Sequence, residues 1–246
     1  MSSPPTPAQA SALGSAPAKA GLILTVLILG ATVANINTSI SNVALPSIAS
    51  ALNATDTELT GITDAYQLGI AATVLYLGAV GDRYGRKGML LLGALLCVPF
   101  SLASAWSPNA VFLIVAQIAV GVAGGMLYPT TLSMITALWR GKKLTGAIAL
   151  WTGLGTGASV LGPIMGGYLL DNYWWGSVFL ITVPFALLVL VMGAIILPRS
   201  RAAEKAPVDH AGGSLSVVMI SSFVLGIVML PQGITITVAI LFAVTL

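Results

Sequence analysis

Three polar side chains interrupt stretches that are otherwise almost wholly apolar: Asn37, Asp64 and Gln117. Only Asp64 titrates, so it can take up a proton or hold a cation, whereas the two amides can only donate and accept hydrogen bonds. A second chemistry lies in the turn Gly78-Ala79-Val80-Gly81-Asp82-Arg83-Tyr84-Gly85-Arg86-Lys87, where one carboxylate sits within a few residues of three cations. Such a group can act as a latch that breaks and re-forms, with Gly78 allowing close helix approach and Gly85 a tight turn. The sequence holds no metal-ligand spacing, no nucleophile paired with a base and no phosphate loop ending in Lys-Ser/Thr, so an enzyme or a cofactor has no residues to rest on. The single cysteine, Cys97, lies in an apolar run and reads as a packing residue, and His210 reads as a linker residue.

The elements that must carry these residues follow from composition. Apolar residues make up 57% of the chain, charged ones 7%, and mean hydropathy is +0.99, too apolar for a wetted surface. The apolar material comes in blocks of about 20 residues, the length that crosses some 30 Å of hydrocarbon as a helix. The expected class is an all-α membrane protein with spans near 21–45, 60–80, 88–106, 111–137, 144–170, 175–197 and 212–231. An eighth run opens at Gly233 and stops at Leu246. Residues 1–18 read as a disordered tail, 19–198 as a six-helix bundle, 199–211 as a linker, and 212–246 as one complete and one truncated helix. On that reading the chain is an incomplete fragment.

Charge sets the orientation. All ten basic residues, from Lys19 to Lys205, fall before the first span or in the connections after spans two, four and six, while the opposite connections carry only Asp56, Glu58 and Asp171. The positive-inside rule puts the N-terminus in the cytoplasm of a multi-pass cell-membrane protein. The net charge of +3 is thereby explained by topology, and no nucleic-acid partner is implied.

The turn at 78–87 resembles the signature Gly-x-Leu-x-Asp-Arg-x-Gly-Arg-Arg/Lys of the major facilitator superfamily, departing from it at Val80. The resemblance implies a transporter whose N-terminal six-helix bundle faces a second, missing C-terminal bundle, with Gly78, Asp82, Arg83, Gly85, Arg86 and Lys87 as the gating loop. The plainer alternative makes the cations topology determinants only. Gly157, Gly162, Pro163, Gly166 and Gly167 are similar to the Gly-Pro-x-x-Gly-Gly pattern of antiporter branches, although close helix packing would explain the glycines equally well. The segment Asn37 to Pro46 resembles the first helix of the fourteen-helix drug:proton antiporters, which carry an aspartate where this chain has Asn37, and Gln117 stands where the family carries an intramembrane arginine. A charge at mid-membrane costs on the order of 3 kcal/mol, so both departures remove a group kept elsewhere for ion or proton work.

Asp64-Ala65-Tyr66 also matches that branch, and Asp64 becomes the candidate proton or cation site with Tyr66, Asn37 and Gln117 as further substrate or proton contacts. The alternative for Asp64 is a simple interfacial acid, and for the amides polar glue between helices. Trp174-Trp175 fits an interfacial aromatic belt. The resemblance implies efflux of small amphipathic or cationic compounds by alternating access, with protons and the lipid bilayer as partners. Two rivals stand beside it: a truncated membrane protein that acts through helix association on the glycine-rich fifth helix, and a transporter uncoupled from protons.

Overall fold

The computed structural model describes residues 19–199 and 209–229 together with residue 243, so the expected tail, most of the linker and the eighth run lie outside the described residues. The described residues form seven α-helices: α1 (Ala20–Leu52), α2 (Asp56–Tyr84), α3 (Arg86–Ala105), α4 (Ala110–Leu138), α5 (Gly141–Asn172), α6 (Thr182–Ile196) and α7 (His210–Met229). A 3₁₀ segment, Trp175–Ile181, runs directly into α6. The short connections make neighbouring helices antiparallel. One end of the bundle therefore gathers Lys19, Arg83, Arg86, Lys87, Arg140, Lys142, Lys143 and Arg199, and the other gathers Asp56, Glu58 and Asp171.

Several helices outrun their expected limits. α1 continues past Pro46 to Leu52, because a proline removes one backbone donor and leaves the bonds beyond it intact. The hydroxyl of Ser50 donates to the Pro46 carbonyl at 3.3 Å, and α1 ends only where Asn53 turns left-handed at φ 48° and its N–H closes on the Ala49 carbonyl. α2 starts with a capping box: the Thr55 hydroxyl accepts from the Glu58 N–H, while the Thr55 N–H and hydroxyl both donate to the Glu58 carboxylate. Those bonds to Thr55, its backbone N–H first, hold the Glu58 carboxyl below the usual range.

Five of the seven expected spans, α1, α3, α4, α5 and the 3₁₀ segment with α6, are long and apolar enough to cross a bilayer. α2 has the length, 29 residues, but Asp56, Glu58, Asp64, Asp82 and Arg83 lower its mean hydropathy. It is nonetheless packed along α4, the most extensive helix pair in the bundle. Two cores fill the interior. Toward the basic end Leu27, Leu90, Leu127, Met134 and Trp151 pack together; toward the opposite end Ile36, Ile40, Ile62, Leu113 and Phe179 do so.

The α2–α4 seam depends on two glycines lying against each other. A Cβ on Gly69 would meet the Ile118 carbonyl, and one on Gly121 would meet the Tyr66 carbonyl, with 3.0 Å left to the facing Cα in each case. Between helices in lipid there is no water to expel, so association rests on this kind of backbone approach. Gly69→Ala or Gly121→Ala is therefore expected to destabilise the bundle by about 1–3 kcal/mol. Gly157→Ala, where a Cβ meets nothing within 4 Å, should leave the thermal midpoint unchanged when all three are compared by unfolding in detergent.

Candidate functional site

Four helices, α1, α2, α4 and α5, line an open cavity of about 470 Å³. Its wall carries Asn35, Thr38, Ser39 and Asn42 from α1, Gln67 and Ile70 from α2, Tyr128 from α4 and Ser159 from α5, with Ala34 behind them. Asn35, Thr38 and Asn42 follow helical spacing, so one stripe of α1 faces the cavity. Asn37 lies off that stripe and is 2% exposed inside the bundle. Gln117 is 0% exposed and neither of its amide atoms finds a partner among the described residues. Neither amide lines the cavity, and the Asn37 side-chain oxygen is likewise unpartnered.

Tyr66 is also interior. Its ring is buried, its hydroxyl donates to the Ala34 carbonyl of α1 at 2.7 Å, and Gly124 makes room for it on α4. It braces three helices. Asp64 is half-buried on α2, one turn from Gln67 toward the acidic end, and its carboxylate has no hydrogen bond or ion pair among the described residues. The sequence reading named residues on α1, α2 and α4, three of the helices that line this cavity, and the structure places its two amides inside the bundle rather than on the cavity wall. Asn35, Thr38, Ser39, Asn42 and Gln67 were missed, though their spacing along one face was a signal that could have marked them.

α5 meets α1 at an unusual bond. Pro163 has no N–H, so the carbonyl four residues earlier, that of Ser159, lacks its helical partner. Ser39 donates to it from α1 at 2.7 Å. Gly162 permits the approach, since a Cβ there would lie 2.8 Å from that of Ser39, and Gly166 rests more loosely against Val43. Gly157 and Gly167 face open space and Pro163 is exposed, so only part of the glycine pattern is used in packing within this bundle.

At the basic end the 78–87 turn is compact. Gly85 alone joins α2 to α3, at φ 137°, a conformation that favours glycine. Gly78 packs against Pro129 of α4, where an added Cβ would lie at 3.2 Å. Asp82 accepts from Arg86 at 2.6 Å and from the hydroxyl of Ser133 on α4. The Arg83 guanidinium lies over the Tyr84 ring, 5.6 Å from its centroid. Lys87 turns the other way and donates to the Ala194 and Leu197 carbonyls at 2.7 and 2.8 Å, neutralising the negative end of α6. His210 is the first residue of α7, and its two ring nitrogens pair with the Tyr76 and Tyr84 hydroxyls at 2.9 and 3.3 Å.

The profile of the Major Facilitator Superfamily matches residues 6–246. The chain belongs to this superfamily. It is 38% identical over 201 residues to "Multidrug efflux pump LfrA" of Mycolicibacterium smegmatis, covering 81% of this chain and 40% of that protein. It is 35% identical over 200 residues to "Methyl viologen resistance protein SmvA" of Salmonella typhimurium, with the same two coverages of 81% and 40%. The chain thus spans about 40% of the length of these relatives. Among solved structures it shares the fold of the xylose transporter XylE from Escherichia coli in an inward open conformation, with TM-score 0.64, 16% identity, and 89% and 62% of the two chains covered. A peptide transporter POT in complex with sulfate aligns at TM-score 0.68 and 15% identity, covering 95% of this chain and 52% of that one.

The Ser39 bond can be isolated. Ser39→Ala strands a carbonyl at a cost of about 1–3 kcal/mol. That loss should shrink in a Pro163→Ala background, where residue 163 regains an N–H for Ser159. Thermal unfolding of the two single variants and the double variant measures the coupling.

Proposed function

We propose that the full-length protein exports small amphipathic or cationic compounds by alternating access, with the cavity on α1, α2, α4 and α5 as this bundle's share of the substrate site. The observation that carries the reading is the cavity itself: an open recess of about 470 Å³ with hydroxyl and amide groups set among apolar walls. Such a mixture suits compounds with an apolar body and a polar head. A relative named as a multidrug efflux pump and another named for methyl viologen resistance favour export over import.

Proton coupling falls to Asp64 on this reading. Asn37 and Gln117 do not ionise at any working pH, and both are enclosed by the bundle. Both sit inside the bundle, with the Asn37 oxygen and both Gln117 amide atoms unpartnered among the described residues, while Asp64, on α2 one turn from the cavity residue Gln67, has a carboxylate with no hydrogen bond or ion pair among the described residues. The gate falls to Asp82, Arg83 and Arg86 at the basic end, where the bonds to Arg86 and Ser133 keep the turn ordered in this conformation. Lys87 supports that turn from α6. Gly78 and Gly85 supply the close contact and the sharp reversal, and the outward-facing Gly157, Gly167 and Pro163 of α5 leave a face for the second bundle to slide against. The protein then sits in the cell membrane with its N-terminus and basic end in the cytoplasm, a reading supported by the one-sided distribution of Lys and Arg.

Two measurements test this. In inverted vesicles of cells making the full-length protein, an imposed proton gradient should accelerate substrate movement, and Asp64→Asn should abolish the acceleration. Gradient-independent flux in the wild type would show an uncoupled facilitator instead. Alkaline phosphatase fused after Asn172 should be active outside the cytoplasm, and the same enzyme fused after Lys142 should be inactive; the reverse pattern would invert the orientation.

A further inference from the structure

Many hydroxyls in this bundle bond their own helix, as those of Thr73, Ser104 and Thr130 do through the carbonyl four residues earlier. Four interior polar residues do not follow that habit. The Asn37 oxygen, the Ser101 and Thr182 hydroxyls and both polar atoms of the Gln117 amide have no partner among the described residues, and all four residues are 2% exposed or less. One further buried hydroxyl shares this state, that of Ser177, which borders an apolar groove near the acidic end. The four come from four helices that pack as a ring: α1 on α4, α4 on α3, α3 on α6 and α6 on α1. Each lies where the core of the basic end gives way to that of the acidic end. Asn37 falls between Val33 and Ile40, Ser101 between Cys97 and Ala105, Gln117 between Leu113 and Ala123, and Thr182 between Ile181 and Ala186. Each also stands four residues from a core residue, Val33, Cys97, Leu113 and Ala186 in turn, and so shares the inward face of its helix.

We infer that this mid-bundle layer is a hydration site, in which bound water bridges Asn37, Ser101, Gln117 and Thr182 between the two apolar cores. The chemistry of the four suits water. The Asn37 oxygen accepts, the Gln117 amide donates and accepts, and each hydroxyl does either, so the guest must offer donors and acceptors together. None of the four is charged, and an ion held by them would give up its hydration with no counter-charge in return. A buried water typically makes about three hydrogen bonds to polar groups that would otherwise go without, and four helices converging on one level can supply that number. Water also bridges polar groups that are too far apart for a direct bond, so it keeps these side chains satisfied without drawing the helices together. The layer is separate from the substrate cavity, since none of its four residues lines that wall.

The test is an experimental structure of the purified full-length protein at a resolution that shows ordered water, with thermal unfolding of Gln117→Met and Ser101→Ala beside it. Solvent density is expected within about 3.2 Å of polar atoms on at least two of the four side chains. Gln117→Met keeps the length of the side chain and removes the amide. With water bound, the change takes bonds from the water and should lower the thermal midpoint by a few degrees. Without water the sign reverses, because methionine then relieves an amide that had nothing to bond, and the midpoint rises. Ser101→Ala is the milder change and should move the midpoint in the same direction as Gln117→Met, so the sign can be read even where the methionine variant does not fold. A rise in the midpoint of either variant overturns the inference. So does density in which the four side chains bond one another or backbone carbonyls directly with no solvent between them, or in which a metal ion occupies the layer.

Discussion

A helix in hydrocarbon has to find a partner for every backbone carbonyl and every side-chain donor without help from solvent, and the arrangement of this bundle follows from that requirement. Its hydroxyls and amides mostly turn back on their own helices. Thr25, Ser41, Thr73, Ser104 and Thr130 all donate to the carbonyl four residues earlier, as do Asn35 and Asn42. Each of these bonds takes one polar hydrogen off the helix surface, and the two asparagine amides keep a second N–H. Where a proline breaks the internal ladder at Ser159, the repair comes from another helix, and that repair is what fixes α1 against α5 beside the cavity.

Much of this was readable in advance. Blocks of apolar residues at the length of a bilayer crossing, separated by punctuation, give the helices, because hydrocarbon permits few alternatives. The one-sided distribution of basic residues reappears as the chemically distinct ends of the bundle. The glycine at 85 had to be a turn, and Asp82 with Arg86 had to be close, since both follow from spacing along the chain. The expected stop at Pro46 was misplaced because a proline inside a long helix forfeits only one bond, and the helix runs on for six more residues to Leu52.

The site was harder. Asn37 and Gln117 attracted notice by being polar in apolar company, but that signal cannot distinguish a side chain aimed at a ligand from one enclosed by its own bundle. The decision lies in which faces of α1, α2, α4 and α5 meet, and close approaches at Gly69 and Gly121 between α2 and α4, and at Gly162 between α5 and α1, take part in setting that. Small residues leave little trace in hydropathy. The cavity stripe Asn35, Thr38, Asn42 was hidden for a related reason: it is made of residues that also serve as ordinary helix-helix glue, and hydropathy does not separate the two uses.

Gly85 is the whole connection between α2 and α3, and a one-residue connection leaves almost no slack. The carboxylate of Asp82 on one side of it and the ammonium of Lys87 on the other move as parts of a single lever. One arm rests on Ser133 of α4, the other on the last carbonyls of α6. A displacement that lifts the first arm is consequently felt at the second, so a disturbance beside α4 reaches the end of α6. The fulcrum is a residue with no side chain at all.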